Sequence, residues 1–315
     1  MASCTETTWT YPSTDGHSTI YATIWTPDDQ PVRAVIQICH GMTEHIRRYD
    51  RFARTLCARG FLVCGDDHLG HGRTAVTLAD RGYFGPKDGV CHMVEDLHTL
   101  RQEMQRRFPD KPYLLLGHSM GSFLTREYIT RHGQGLAGYI CCGTSGRNPM
   151  AKIGIAMATC MTAVAGGKSP GRLIDHLAFG NYNSRYEQCI TGREWLSRDT
   201  EGYPDSTNDD RCNFLFTNAG FRDLFRLLDH ISGKKWSDQV PRELPIALFS
   251  GDMDPVGNYG KGVRQVYRWL QESGVQDLSL TLYPGARHEL HNEINRNEFT
   301  DDLVSWIDRH IPASV

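Results

Sequence analysis

The chain has 315 residues, 39% of them hydrophobic, with 34 basic and 37 acidic side chains and a formal net charge of −3. That length suits one large α/β domain carrying an insertion, and the absence of a dense Lys/Arg cluster argues against a nucleic-acid partner. The ten cysteines include no Cys-x-x-Cys pair, so a disulfide framework or zinc pattern is not expected.

In chain order, Thr7–Tyr11 and Thr19–Thr26 alternate apolar and polar residues around the turn-rich Ser13-Thr14-Asp15-Gly16, which predicts an antiparallel hairpin. The β-branched run Ala34–Cys39 predicts a strand, and the spacing of Tyr49, Phe52, Ala53 and Leu56 predicts a helix over 47–59. Phe61–Cys64 reads as the next strand, 89–108 as a helix, Tyr113–Leu116 as a strand, 121–132 as a helix and 136–142 as a strand. Cys39, Cys64, Cys141 and Cys142 lie in these apolar runs and read as buried thiols of a reducing compartment. Near-continuous apolar strands alternating with amphipathic helices predict a mostly parallel sheet covered on both faces.

The alternation breaks at Arg147 and resumes at Pro245–Phe249, with a helix over 259–272, a strand at Leu278–Tyr283 and a terminal helix over 297–310. We therefore expect a core in two parts, 1–146 and 241–315, around a helical cap inserted at 147–240. The N-terminus lacks a basic start followed by an apolar core, and no segment reaches the ~18 apolar residues of a membrane span. The expected location is the cytoplasm.

Gly117-His118-Ser119-Met120-Gly121 matches Gly-x-Ser-x-Gly, directly after one predicted strand and before a helix. That context places a serine on a tight strand-to-helix turn with amide donors aimed at it. A serine hydroxyl needs a base, and the base an orienting acid. In this fold type they follow in the order serine, acid, histidine. The strand ending at Phe249 is followed by Asp252 and Asp254, and the strand ending at Tyr283 by His288 and His291. Asp254 is preferred because it lies further past the strand end, and His288 because it is the first histidine after the Gly285 turn. The amides of Met120 and of Met42, in the loop His40-Gly41-Met42, are placed to form an oxyanion hole.

These motifs, with Asp66-Asp67-His68-Leu69-Gly70-His71-Gly72-Arg73 and the cap piece Glu194-Trp195-Leu196-Ser197-Arg198-Asp199, resemble the monoacylglycerol lipase and lysophospholipase-like group of the α/β-hydrolase superfamily. That group overlaps the serine aminopeptidase S33-type hydrolases, and the resemblance is strongest to bacterial members. It implies an α/β-hydrolase fold, the triad Ser119, Asp254 and His288, and an oxyanion hole from the Met42 and Met120 amides. It also implies a small acyl-ester or lipid substrate, with no cofactor and no metal.

Other features have plainer readings. Asp66, Asp67, His68 and His71 suit loop support better than a metal site. The apolar stretch Ile153–Ala165 is too short to span a bilayer. It suits a cap helix packed on the core, with tunnel lining or transient membrane contact as alternatives. Phe179, Tyr182, Tyr186 and Trp195 read as small-core packing before pocket walls. The leading expectation is an ester hydrolase acting through an acyl-enzyme on Ser119, losing activity in acid as His288 is protonated. An amidase or aminopeptidase would need an acidic pocket, for which Glu187, Glu194, Asp199, Glu201 and Asp205 are candidates. A non-hydrolysing receptor on the same fold is the third reading.

Overall fold

A computed structural model of the chain describes residues 3–186, 192–199 and 209–312. One sheet holds β1 (Cys4–Pro12), β2 (Thr19–Pro27), β3 (Ala34–Cys39), β4 (Phe61–Asp67), β5 (Tyr113–His118), β6 (Gly138–Cys142), β7 (Ile246–Gly251) and β8 (Leu278–Tyr283). Their order is β1-β2-β4-β3-β5-β6-β7-β8. The hairpin β1/β2 and the pair β2/β4 are antiparallel, and every pairing from β4 to β8 is parallel. β4 runs three residues past the apolar stretch visible in the sequence because Asp66 and Asp67 pair with Ala22 and Tyr21 of β2. Cross-strand pairing here overrides the low strand preference of aspartate.

The helices are α1 (Asp50–Cys57), α2 (Gly89–Arg107), α3 (Met120–His132), α4 (Ala151–Ala165), α5 (Arg172–Phe179), α6 (Asn218–His230), α7 (Lys234–Ser237), α8 (Lys261–Glu272) and α9 (Arg296–His310). α1 starts later than the periodicity predicts. Ile46–Tyr49 form a tighter 3-10 turn, whose first N–H is taken by the Asp67 carboxylate at 2.9 Å.

Strand residues alternate between two cores, as a pleated sheet requires. Val35, Leu115 and Leu248 face α2, α3 and α8 through Leu97, Leu124 and Val266. Ile36, Leu114, Leu116 and Phe249 face α1 and α9 through Leu56, Phe299 and Trp306. Cys39, Cys64, Cys141 and Cys142 are buried free thiols, and burial pushes Cys64 up to about 12.

Between β6 and β7 the described chain passes through α4, α5, α6 and α7 without adding a strand to the sheet. On α4, Ala151, Gly154 and Ala158 are buried at helical spacing. A Cβ on Gly154 would lie 2.7 Å from the Phe225 ring, so α4 and α6 approach closely there. Among the described residues no helix is long and apolar enough to cross a membrane.

Candidate active site

β3 and β5 are neighbours, yet the chain runs from β3 out to β4 before returning to β5. Loops leaving two such strands diverge, and the crevice between them is where open α/β sheets bind ligands. Cys39 pairs with Gly117 across that seam, so the loop from His40 and the turn at Ser119 start side by side. Ser119 sits at φ 55°, ψ −124° ahead of α3, a backbone region that non-glycine residues rarely enter. Gly121 permits it: a Cβ there would stand 2.0 Å from the Cys39 carbonyl oxygen, so α3 reaches β3 only without a side chain.

His288 and Asp254 arrive from the loops after β8 and β7. His288 Nδ1 lies 2.9 Å from Asp254 Oδ2, and both residues are buried. Asp254 Oδ1 accepts the Val256 N–H at 2.8 Å, which fixes the carboxylate plane. A carboxylate can only accept, so Nδ1 carries a proton, and Nε2 is the ring nitrogen left to act on a neighbour. Asp252 faces elsewhere, accepting the Gly285 N–H at 2.7 Å and tying the two loops together. His291 stacks on Tyr49 with ring centroids 4.5 Å apart, and burial holds it down to about 3.

In the loop after β3, the Glu44 carboxylate takes the Gly41 N–H in a short hydrogen bond. The Thr43 N–H points to His71 Nε2 at 3.4 Å. Met42 and Met120 have no main-chain N–H partner among the described residues, and both line the same cavity as Ser119 and His288.

Behind the site lies a buried ionic network not resolved in the sequence. Arg48 bonds Glu44 and forks onto Glu289 at 3.0 and 3.1 Å. Tyr49 donates to Glu44 at 2.8 Å and sits 2.8 Å from His118 Nδ1. His118 Nε2 faces the His288 carbonyl oxygen at 3.2 Å. That carbonyl can only accept, and the Tyr49 proton goes to Glu44, so both ring nitrogens of His118 must donate. Burial opposes that charge, but Glu44 outweighs it and His118 is raised. Burial likewise opposes the ionised carboxyls, yet Arg48 holds Glu44 and Glu289 low. Two carboxylates, one guanidinium and one imidazolium cancel, as a buried cluster must. Glu44 and Arg48 stand four apart, a spacing readable as a pair; the links to His118 and Glu289 are purely tertiary.

The cavity above Ser119 measures about 650 Å³, within the range of small-molecule sites. Phe179, Tyr182 and Trp195 line it, whereas small-core packing is the sequence expectation for these aromatics. Trp195 stands 5.1 Å from the His288 ring and from Tyr182. Tyr186 instead bonds the Met253 carbonyl. α4 contributes Ile153 and Met157 to the cavity, and Met150 just before it joins them, while Met150 and Ile153 remain more than half exposed. Asp66, Asp67, His68 and His71 do not converge as a metal-ligand group among the described residues; Asp67 instead accepts the Ile46 and Arg73 N–H groups. Of the acids considered for an amine pocket, Glu187, Glu201 and Asp205 lie outside the described residues, and Asp199 pairs with Arg296 at 2.8 Å.

The family model described as serine aminopeptidase, S33 matches residues 30–295. A highly thermostable carboxyl esterase from Bacillus coagulans, solved with glycerol, superimposes with a TM-score of 0.90 at 36% identity, covering 99% of this chain and 100% of that one. The monoacylglycerol lipase of Mycolicibacterium smegmatis is 28% identical over 99% of this chain and 100% of its own. Human monoglyceride lipase is 26% identical over 91% and 86% respectively.

Proposed function

The chain belongs to the serine aminopeptidase, S33 family of α/β-hydrolases and is a serine hydrolase of carboxylic esters; from that premise we propose that Ser119, His288 and Asp254 are its triad and an amphiphilic monoacyl ester its substrate. The observation that carries this reading is the buried His288–Asp254 bond of 2.9 Å beside a serine held in a left-handed turn. His288 Nε2 takes the proton of Ser119, whose oxygen attacks the acyl carbonyl. The Met42 and Met120 amides receive the oxyanion. Collapse expels the alcohol, which takes the proton back from His288, and water activated by the same imidazole releases the acid.

The relatives' names support a monoacylglycerol-like ester, and so does a cavity walled by Phe179, Phe225 and Met157. The cap is taken as 147–240, where its helices leave the sheet. Its exposed Met150, Ile153, Leu173 and Leu177 form a rim suited to brief contact with a micelle or membrane. The nine described cysteines are all free, which supports a cytoplasmic setting.

One observation favours a second reading: the Asp175 carboxyl lines the cavity, where it offers an acidic partner to a substrate amine. Ser119→Ala is expected to abolish hydrolysis of p-nitrophenyl esters and monoacylglycerols, and fluorophosphonate labelling of the chain. Retained activity refutes the triad, and faster turnover of amino-acid amides than of glycerol esters transfers the assignment to the second reading.

A further inference from the structure

Thr43 occupies φ +55°, and a β-branched residue enters that region only when its surroundings force it there. Its neighbour Met42 supplies one of the oxyanion donors in the reading above, on which this inference rests. The loop is held from the core by the Glu44 carboxylate on the Gly41 N–H and by the Asp67 carboxylate on the Ile46 N–H. His71 Nε2 also faces the Thr43 N–H at 3.4 Å, and further holds come from the segment leading back into α6. Its Asn213 N–H donates to the Thr43 carbonyl at 3.0 Å, and its Asp209 Oδ2 lies 2.7 Å from His45 Nε2. Asn213 itself stands at φ +64°, so two left-handed residues meet through one hydrogen bond. Asp209 is in turn aimed by the Arg211 N–H, 2.9 Å from its other oxygen. His45 is buried, so its Nε2–H has little access to water as a substitute for Asp209.

We propose that Asp209, acting through His45, together with the Asn213 amide on Thr43, positions the oxyanion loop for the reaction. The cap segment is thus part of the machinery that stabilises the transition state as well as a wall of the cavity. An oxyanion donor acts only where charge develops, so misplacing it lowers kcat and leaves ground-state binding alone.

Asp209→Ala is expected to lower kcat about 10-fold or more on a soluble short ester such as p-nitrophenyl butyrate, with KM within about 2-fold. Asp209→Asn keeps an acceptor for His45 and is expected to restore kcat to within about 3-fold of the parent. Since Asp209 acts through His45, the double variant Asp209→Ala/His45→Phe is expected to lose no more than the worse single variant. Asn213→Val, which disfavours the left-handed backbone at the other contact, provides an independent release of the loop with the same kcat-only signature. An unchanged kcat in Asp209→Ala and Asn213→Val overturns the proposal, as does a loss that Asp209→Asn does not restore. A failure of the serine-hydrolase reading shows separately, as undiminished activity in Ser119→Ala.

Discussion

Gly143, at the end of β6, is the position where one methyl group tests the His288 geometry most directly. Its φ is +57°, and a Cβ there would stand 3.1 Å from His288 Cε1 and 3.2 Å from Nδ1. Ordinary contact begins at 3.4 Å, so in Gly143→Ala the ring must retreat by about 0.3 Å. It cannot retreat as a unit. The His288 N–H is held by the Trp195 carbonyl at 3.4 Å and its own carbonyl by His118, so the shift falls on the ring and on its bond to Asp254. The left-handed backbone adds about 1 kcal/mol for an alanine, and overpacking brings the total destabilisation to roughly 2 kcal/mol. Since about 1 Å of misplacement costs on the order of 100-fold, about 0.3 Å predicts a kcat loss of roughly 4-fold. The assay is steady-state hydrolysis of p-nitrophenyl butyrate, run beside thermal unfolding, with KM expected to hold. A variant that unfolds a few degrees lower but keeps its full kcat would refute the claim that the imidazole is fixed to within a few tenths of an ångström.

Asp254→Asn offers His288 Nδ1 the wrong partner and is expected to lower kcat by about 1,000- to 10,000-fold with a folded protein; circular dichroism and ester kinetics check it. Arg48→Leu leaves the Glu44 and Glu289 carboxylates facing each other in the interior. Removing one side of a buried ionic cluster typically costs about 3–5 kcal/mol, so a large fall in melting temperature is expected, read by calorimetry. Stability should also peak near pH 6–7. His71 and His291 are held to about 3 by burial; such groups support the fold above 6.5 and withdraw that support as pH falls toward 3. Asp96, raised to about 6 by burial, works in the opposite sense between about 4 and 6, but each group contributes at most ~1.4 kcal/mol per pH unit, so the two histidines prevail. His118, raised above 6.5, supports the fold below that value and withdraws support as pH climbs through its own higher one. A melting temperature still rising steadily between pH 7 and 9 would contradict this account.

The strands and helices of the core were legible because their signals are local. Apolar runs such as Tyr113–Leu116 and the spacing of Phe52, Ala53 and Leu56 each need only a few neighbours in sequence. The candidate site was legible as an order of residues: a Gly-flanked serine after one strand, an acid and a histidine after two later ones. What remained hidden depends on distance in space. Nothing in the run Asp252-Met253-Asp254 states that the first acid ties Gly285 while the second meets His288. The same holds for Phe179, Tyr182 and Trp195, whose pattern reports burial on one side but not whether that side is a core or a cavity. The His118 imidazolium is a further case, since its charge is set by Glu44 from another strand's loop.

The backbone gives a physical reason why propensity alone stops short at this site. Among the described residues, six that are not glycine have positive φ: Thr43, Asp88, Ser119, Asn213, Asn258 and Tyr259. Five of them belong to the loops around the cavity. Ser119 carries the proposed nucleophile, Thr43 and Asn213 clasp the loop proposed to supply an oxyanion donor, and Tyr259 donates its N–H to the Asp254 carbonyl at 2.8 Å, with Asn258 beside it. Local preference argues against each of these conformations, threonine and tyrosine especially. They persist because surrounding contacts over-determine them: Cys142 on the Ser119 N–H and Asn213 on Thr43 from other elements, and Asp254 on Tyr259 within its own loop. The fold therefore maintains the site against the chain's own local tendencies, and the cost is borne by packing distributed over both cores. It follows that substitutions relaxing these positions, such as Thr43→Gly, should leave stability nearly intact or improved while costing turnover. The opposite result, lower stability with full turnover, would mean that the strain at Thr43 belongs to the fold and not to the chemistry.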